Sequence, residues 1–132
     1  MVTNGDIMNK HAVGCQGGIR KSDMTKSFVL IINPNVHKYC DLINTNAYEI
    51  MYDGAFRKGY RDQVMKWSNR SLNETTWPLH VYSGTRGEYI YLGEYERHGG
   101  YHTTYDADGR RVFSFPLRKK IQLTYDFDSF EY

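Results

Sequence analysis

Residues 79–97 contain the pattern that decides the fold class, LHVYSGTRGEYIYLGEYER. Residues 79–83 alternate between apolar and polar side chains, a glycine-containing turn follows, and a second alternating stretch begins at Glu88. Because successive side chains of a strand point to opposite faces, this period of two predicts two strands joined by a short turn. The residues predicted to share one face of the second strand are Tyr89, Tyr91, Gly93 and Tyr95, with Ile90, Leu92 and Glu94 on the other.

The sequence on either side of this hairpin supplies helices and further strands. The apolar run at residues 28–32 predicts a strand that is buried on both faces. Thr3 followed by Asp6 predicts a helix N-terminus, and the spacing of Tyr60, Val64 and Trp67 predicts an amphipathic helix. The predicted helices are Asn4–His11 and residues 60–73, and the other predicted strands are residues 48–52, 112–117 and 121–125. These elements together predict an α+β domain, with a curled sheet or small barrel flanked by helices.

The composition is that of a folded domain without a membrane span. Hydrophobic residues make up 40% of the 132 residues and charged residues 24%, and the longest apolar run has five residues. These values exclude intrinsic disorder and a transmembrane helix. The N-terminus lacks the basic and then apolar pattern of a signal sequence, so we expect a cytoplasmic protein. In that compartment Cys15 and Cys40 are expected to be free thiols.

Charge and tyrosine content are compatible with a flat, phosphate-bearing ligand. Residues 124–132 hold three carboxylates and no Lys or Arg, which leaves residues 1–123 with a net charge of +5. A solvated surface is the simpler explanation of that charge, although phosphate binding fits it as well. Twelve residues are tyrosines, whose flat faces suit sites that hold bases.

No arrangement typical of a catalytic or metal site occurs in the sequence. His98 and His102 have the spacing of a helical zinc site, but the two glycines between them disfavour a helix. Glu94 and Glu96 could form an acid–base pair, but no neighbouring residue completes a site. A G-x-S-x-G elbow is absent, and the glycines of residues 14–18 follow no predicted strand. We therefore expect no enzymatic activity, no metal and no cofactor from this chain alone.

An ordered series of short motifs resembles a known family. The motifs are TNGDI (3–7), QGGIRKS (16–22), FVLI (28–31), Tyr39-x-Asp41, Tyr52-x-Gly54, Gly59 with Asp62-Gln63, Asn69-x-x-Leu72, Val81-Tyr82, Glu88-Tyr89-x-Tyr91-x-Gly93 and Val112-x-x-Phe115-Pro116-Leu117. No single motif is specific, but the order resembles the SRA (SET- and RING-associated) domain, in the short form fused to HNH nucleases in McrA-like modification-dependent restriction enzymes. The resemblance covers residues 3–120. It implies a PUA-like, curled β-barrel of about five to seven strands with flanking helices, which flips a modified cytosine out of the DNA duplex.

The resemblance also implies a pocket for the flipped base. Tyrosines of the family at the positions of Tyr39 and Tyr52 sandwich the base, and Asp41 matches the aspartate that accepts a hydrogen bond from the cytosine amino group. A carboxylate suits that donor and is a poor partner for the carbonyl of thymine. Asp53 stands where the family usually has threonine, which adds an anion near the pocket and leaves the preferred modification open. The alternatives are core packing for the tyrosines, a turn-capping role for Asp41, and Tyr48 as one of the walls.

Contacts to the DNA backbone are expected from backbone N–H groups, basic side chains and a hydroxyl. Residues 55–61 lie where the family has a loop that probes the DNA, with Phe56 as either a wedge or a core anchor and Arg57 beside it. Gln63 and Asn69 are expected to be structural hydrogen-bonding residues of the pocket loop. The residues expected to contact the DNA backbone are Gly17, Gly18, Arg20, Lys21, Ser22, Lys58 and Arg61.

These observations lead to one functional expectation and two alternatives. Residues 1–123 are expected to form a non-catalytic module that binds double-stranded DNA containing 5-methylcytosine or 5-hydroxymethylcytosine by base flipping. The module would be the targeting part of a modification-dependent restriction system, with residues 124–132 as an acidic, aromatic tail or linker. The alternatives are a PUA-like RNA-binding module, or part of an HNH nuclease whose catalytic region lies outside this chain. No membrane partner is expected.

Overall fold

The computed structural model describes residues 1–14, 17–33 and 48–120. In this part of the chain there are two helices and seven strands. In chain order the elements are α1 (Asn4–His11), β1 (Ile19–Ser22), β2 (Ser27–Ile32), β3 (Glu49–Asp53), α2 (Trp67–Glu74), β4 (Leu79–Thr85), β5 (Glu88–Arg97), β6 (His102–Tyr105) and β7 (Arg111–Lys119). The predicted strand at 121–125, the tail at 124–132, Cys15 and Cys40 lie outside the described residues.

All seven strands belong to one sheet, in the order β1-β2-β4-β5-β7-β3, with β6 pairing with β7. The β2–β4 pair is parallel, and the other neighbouring pairs are antiparallel. The sheet curls into a half-barrel accompanied by the two helices, which confirms the predicted α+β class. β1 and β3 lie at the two ends of this strand order, and the cavity described below lies where they approach each other.

Strand β2 separates two apolar clusters. Phe28 and Leu30 are buried in the larger cluster, which fills the inside of the curled sheet. Val29 is buried on the opposite face, where it packs with Ile7 of α1 and with Tyr82. The prediction of a strand buried on both faces is therefore confirmed, and the alternating side chains of β2 explain how one strand serves both clusters.

A β-bulge in β5 changes which face its tyrosines occupy. The register of the β4–β5 pair shifts between Val81 and Tyr82, where Leu92 is the extra residue. Tyr89 consequently packs in the cluster of α1, whereas Tyr95 is buried in the larger cluster. The prediction that these two tyrosines share a face is wrong, because an inserted residue reverses the alternation beyond it.

Helix α1 has the bounds that its sequence predicts. The Thr3 Oγ1 accepts a hydrogen bond from the Asp6 backbone N–H at 3.1 Å, and the Asp6 carboxylate accepts one from the Thr3 backbone N–H at 2.9 Å. This reciprocal pair satisfies two N–H groups that the first helical turn would leave without partners. At the other end, the ring of His11 contacts the hydroxyl of Tyr82 at 2.8 Å, and burial lowers the pKa of His11 to about 4.

The second predicted helix is shorter than its apolar spacing indicates. Residues 60–66 are not helical, and α2 covers only Trp67–Glu74. The buried Gln63 explains the difference, because its backbone N–H donates to the carbonyl of Arg111 at 3.0 Å and so joins this segment to β7. Neither helix in the described part of the chain is long and apolar enough to cross a membrane.

Candidate functional site

A cavity of about 810 Å³ lies between the start of β1, the end of β3 and the turn between β4 and β5. Its volume is within the usual range for sites that bind small organic groups. Five residues that the sequence predicts as site residues line it together: Gly17, Gly18, Arg20, Tyr52 and Asp53. Tyr39 and Asp41 lie outside the described residues, so their place in the pocket stays a prediction.

Tyr52 forms part of the cavity wall and part of the core. Only 4% of it is exposed, and its hydroxyl donates a hydrogen bond to the carbonyl of Ile31 at 3.2 Å. Burial raises the pKa of this hydroxyl, which keeps it protonated and able to donate. A Cβ at Gly18 would lie 2.9 Å from the Tyr52 hydroxyl oxygen, so only glycine fits above it. The sequence left a base-pocket wall and core packing as alternatives for Tyr52. The ring packs in the larger apolar cluster and borders the cavity, so core packing is confirmed, while its role as a wall for a flipped base stays a prediction.

Arg20 brings a positive charge into the wall of the cavity. Its side chain is 6% exposed, since Nε donates to the carbonyl of Gly17 at 2.9 Å and Nη1 donates to Oδ1 of Asn4 at 2.6 Å. These bonds tie the glycine loop to α1 through a guanidinium. Contact between Arg20 and a DNA phosphate stays a prediction, and any such contact would be made from this fixed position.

Asp53 adds a carboxylate to the same cavity. It is half-buried at the end of β3, and its Oδ1 accepts a hydrogen bond from the hydroxyl of Ser114 at 3.0 Å. Among the described strands β3 pairs with β7 alone, and the Asp53–Ser114 pair lies at the end of that ladder. A carboxylate held this way can accept a further hydrogen bond from an amino group in the cavity.

Two buried carboxamides hold the chain where it leaves β3. Nε2 of Gln63 donates to the carbonyl of Gly54 at 2.7 Å, and its Oε1 accepts from the backbone N–H of Phe113 at 2.8 Å. Oδ1 of Asn69 accepts from the N–H of Ala55 at 2.7 Å, and its Nδ2 donates to the carbonyl of Ala55 at 2.8 Å. The structural role predicted for Gln63 and Asn69 is confirmed by these bonds.

Residues 55–61 form an exposed loop beside the cavity. Phe56 is 41% exposed, and the guanidinium carbon of Arg110 lies 4.3 Å from the centre of its ring. The guanidinium of Arg57 lies 3.8 Å from the ring centre of Trp67. Phe56 belongs to neither apolar cluster, so the alternative of a core anchor does not hold, while its role as a wedge stays a prediction.

The remaining predicted DNA-backbone residues differ in what surrounds them. Lys58 is exposed on the loop, whereas Arg61 donates to the carbonyl of Asp108 at 2.9 Å and holds the β6–β7 turn. Ser22 is buried, and its hydroxyl accepts from the N–H of Thr25 within the turn after β1. Lys21 follows Arg20 on β1 and so points to the opposite face, where its ammonium lies 5.5 Å from the ring centre of Trp77. The structure therefore brings neither Lys21 nor Ser22 into the cavity lining.

Sequence reasoning missed the turn between β4 and β5 as part of the site. Gly84, Thr85 and Arg86 line the cavity, and Arg86 is exposed at its rim. A basic residue before a glycine in a predicted hairpin turn was the available signal. Without the fold, nothing in the sequence connects that turn to Gly18 or Tyr52.

Comparisons with known proteins identify the fold. No family model matches the chain, and no curated protein sequence matches it. Among solved structures, the chain is similar to the SRA domain of SUVH5 in complex with hemimethylated CG DNA, with 20% identity and a TM-score of 0.67 over 91% of this chain and 84% of that chain. The fold is that of an SRA domain.

Two further structures have the same SRA-type fold. The SUVH5 SRA domain bound to fully hydroxymethylated CG DNA has 21% identity and a TM-score of 0.64, over 87% of this chain and 81% of that chain. KRYPTONITE in complex with mCHG DNA and SAH has 17% identity and a TM-score of 0.70, over 96% of this chain and 33% of that larger chain. The SRA-like architecture predicted from the ordered motifs is thus confirmed at the level of the fold.

Proposed function

We propose that this chain binds double-stranded DNA containing a modified cytosine and holds the modified base, flipped out of the duplex, in the cavity between β1 and β3. One observation carries the proposal. In an SRA fold whose solved examples include complexes with methylated and hydroxymethylated DNA, this cavity contains a buried tyrosine, a carboxylate and a glycine loop. The modified base is 5-methylcytosine or 5-hydroxymethylcytosine.

The cavity lining supports recognition of a pyrimidine. The ring of Tyr52 is fixed by its hydrogen bond to Ile31, so a base that stacks on it meets a wall that does not need to be ordered first. The carboxylate of Asp53 suits the exocyclic amino group of cytosine as an acceptor. Tyr39 is the proposed second wall and Asp41 the proposed partner of the base edge, as the family resemblance implies.

The surroundings of the cavity support contact with the duplex. Extruding a base requires the gap in the stack to be filled and the phosphates to be held. Phe56 and Arg57 are the proposed gap-filling side chains, because both lie exposed on the loop that begins at the cavity. Backbone N–H groups of Gly17 and Gly18, together with Lys58, are the proposed phosphate contacts.

The proposed biological role is that of a targeting module. The chain would recognise modified DNA in the cytoplasm and direct a fused or separate HNH nuclease to it, as part of a modification-dependent restriction system. Recognition without catalysis is the proposed contribution of this chain itself. A cleavage assay with divalent metal and modified DNA is accordingly expected to give no product.

A binding series tests the proposed function. One duplex is prepared with cytosine, 5-methylcytosine, 5-hydroxymethylcytosine or N6-methyladenine at its centre, and affinity is measured by fluorescence anisotropy at a single salt concentration. We expect tighter binding to one or both modified cytosines than to the other two duplexes. Equal affinity for all four duplexes contradicts the proposal, and preferential, salt-sensitive binding to structured RNA would favour the RNA-binding alternative instead.

A further inference from the structure

The turn between β4 and β5 presents an exposed arginine at the rim of the cavity. Arg86 lines the cavity together with the preceding Gly84 and Thr85, and the backbone of Gly17 and Gly18 lines the same space. In the described residues no carboxylate or carbonyl forms an ion pair or hydrogen bond with the Arg86 guanidinium.

The backbone of the turn does not favour an arginine at this position. Thr85 pairs with Glu88, so Arg86 and Gly87 form a two-residue hairpin loop. Their φ angles are 50° and 88°, both in the left-handed region. Such a loop is most readily made by Asn-Gly or Asp-Gly, because a residue with a longer side chain is disfavoured at positive φ. The arginine is thus a less favourable choice for the fold than residues that would make the same turn.

The turn itself is held firmly in place. A Cβ at Gly84 would collide with the carbonyl oxygen of Glu88, so the two strands approach closely just before the loop. At the other end, Tyr89 exchanges two backbone hydrogen bonds with Val2, at 2.8 and 2.9 Å. The base of the Arg86 side chain therefore has a fixed position at the rim.

The distribution of charge in the cavity is that expected for a nucleotide. Asp53 is half-buried in the lining, Arg20 is buried in the wall, and Arg86 is exposed at the opening. When a nucleotide is extruded from a duplex, its base enters the protein while its flanking phosphates stay at the mouth of the site. A guanidinium at that mouth can bind a phosphate through two parallel N–H···O hydrogen bonds.

We infer that Arg86 binds a phosphate directly flanking the extruded nucleotide, at the rim of the cavity that the Gly17–Gly18 loop also lines. The inference rests on the proposed function and adds a specific contact to it. A phosphate in this position is held only when the nucleotide is flipped. Arg86 therefore contributes to the preference for modified DNA, unlike a cation that contacts the duplex backbone generally.

The test uses Arg86→Asn, because asparagine suits the left-handed turn and removes the guanidinium without disturbing the fold. Arg70→Ala is the matched control, since Arg70 is an exposed arginine on α2 whose partner is Glu74. We expect Arg86→Asn to weaken binding to the modified duplex by about ten-fold or more, as for loss of a charge-assisted hydrogen-bonding pair. Binding to the unmodified duplex should change by less than about three-fold. Arg70→Ala should leave the affinity for both duplexes unchanged.

A neutral methylphosphonate at each flanking phosphate in turn then locates the contact. With wild-type protein, one of the two methylphosphonate duplexes should bind more weakly, by about the factor seen for Arg86→Asn with unaltered DNA. The Arg86→Asn protein should bind that methylphosphonate duplex no more weakly than it binds unaltered DNA. Equal weakening of modified and unmodified duplexes, or additive losses at both phosphates, would overturn the inference. If wild-type protein does not prefer modified DNA at all, the proposed function itself fails. If it does prefer modified DNA and Arg86→Asn behaves like Arg70→Ala, only the role of Arg86 is wrong.

Discussion

The cavity wall and the adjoining loop at residues 55–61 are built in opposite ways. In the wall, the polar groups of Tyr52 and Arg20 are buried and bonded to the chain's own backbone or side chains. In the loop, Phe56 and Lys58 are exposed, and guanidinium groups stack on the rings of Phe56 and Trp67. A wall that is rigid before binding can discriminate between bases, whereas exposed cations and aromatic side chains can follow the shape of a duplex.

The two regions meet at Gly54 and Ala55. These two residues continue β3 out of the cavity wall and begin the loop, and the carboxamides of Gln63 and Asn69 fix both of them. The junction makes the position of the loop depend on the fold of the wall. Substitutions in the wall should therefore affect stability most, and substitutions in the loop should affect DNA binding with little effect on stability.

The largest effect is expected for Tyr52→Ala. Removing a ring that is packed in the main apolar cluster should lower the free energy of unfolding by about 3–5 kcal/mol. Tyr52→Phe keeps the ring and loses the hydrogen bond to Ile31, so it should cost about 1 kcal/mol. Urea denaturation measures both. Since stacking needs the ring and not the hydroxyl, Tyr52→Phe should also retain the preference for modified DNA. A Tyr52→Ala protein as stable as the wild type would show that the ring is not part of the core.

The next largest effect is expected for Gly54→Ala. The added Cβ would lie 2.7 Å from Oδ1 of Asn69 and 2.8 Å from Oε1 of Gln63, so at least one buried carboxamide must move and lose hydrogen bonds. We expect a loss of about 2–3 kcal/mol in the free energy of unfolding. Gly100→Ala is the control, because a Cβ there meets no atom within 4 Å. Equal melting temperatures for the two variants would mean that the junction is not held by these carboxamides.

Short sequence patterns predicted the helices and strands whose structure depends on residues close by in the sequence. Thr3 and Asp6 determine where α1 starts. The apolar run of β2 predicts a buried strand without any knowledge of which strands pair with it. The strands β1 and β6 were not predicted. β1 has only four residues, and all four residues of β6 are exposed, so neither carries a clear periodic signal.

Long-range contacts account for what the sequence did not predict. The apolar spacing of Tyr60 and Trp67 fits a helix, but Gln63 between them bonds to residues of β7 about fifty positions away. Similarly, the motifs indicated Gly18 and Tyr52 as site residues, while Arg86 joins them only because the sheet brings the β4–β5 turn to the same cavity. Hydrogen bonds between residues this far apart in sequence cannot be predicted from a local sequence pattern.

Phe56→Ala tests whether the loop acts on DNA and not on the fold. Because Phe56 is exposed, its truncation should change the free energy of unfolding by less than about 0.5 kcal/mol. Binding to a duplex with modified cytosine should weaken by about five-fold to ten-fold, as the gap left by the flipped base loses its filling side chain. Tyr105→Ala on β6 removes another exposed ring and should leave binding unchanged. If Phe56→Ala destabilises the protein as strongly as Gly54→Ala does, the loop is part of the folded core and the contrast between the two regions disappears.

The smallest and least selective effect is expected for Lys58→Ala. An exposed lysine on the loop interacts with phosphates as a point charge, so its loss should weaken modified and unmodified duplexes alike, by a few-fold. The dependence of log K on log salt concentration should become shallower by about one, since one fewer counterion is displaced. Lys10→Ala on the outer side of α1 is the control and should leave the salt dependence as it is. A change in the preference for modified cytosine without a change in the salt dependence would assign Lys58 to the base pocket. Recognition would then extend from the rigid wall into the exposed loop.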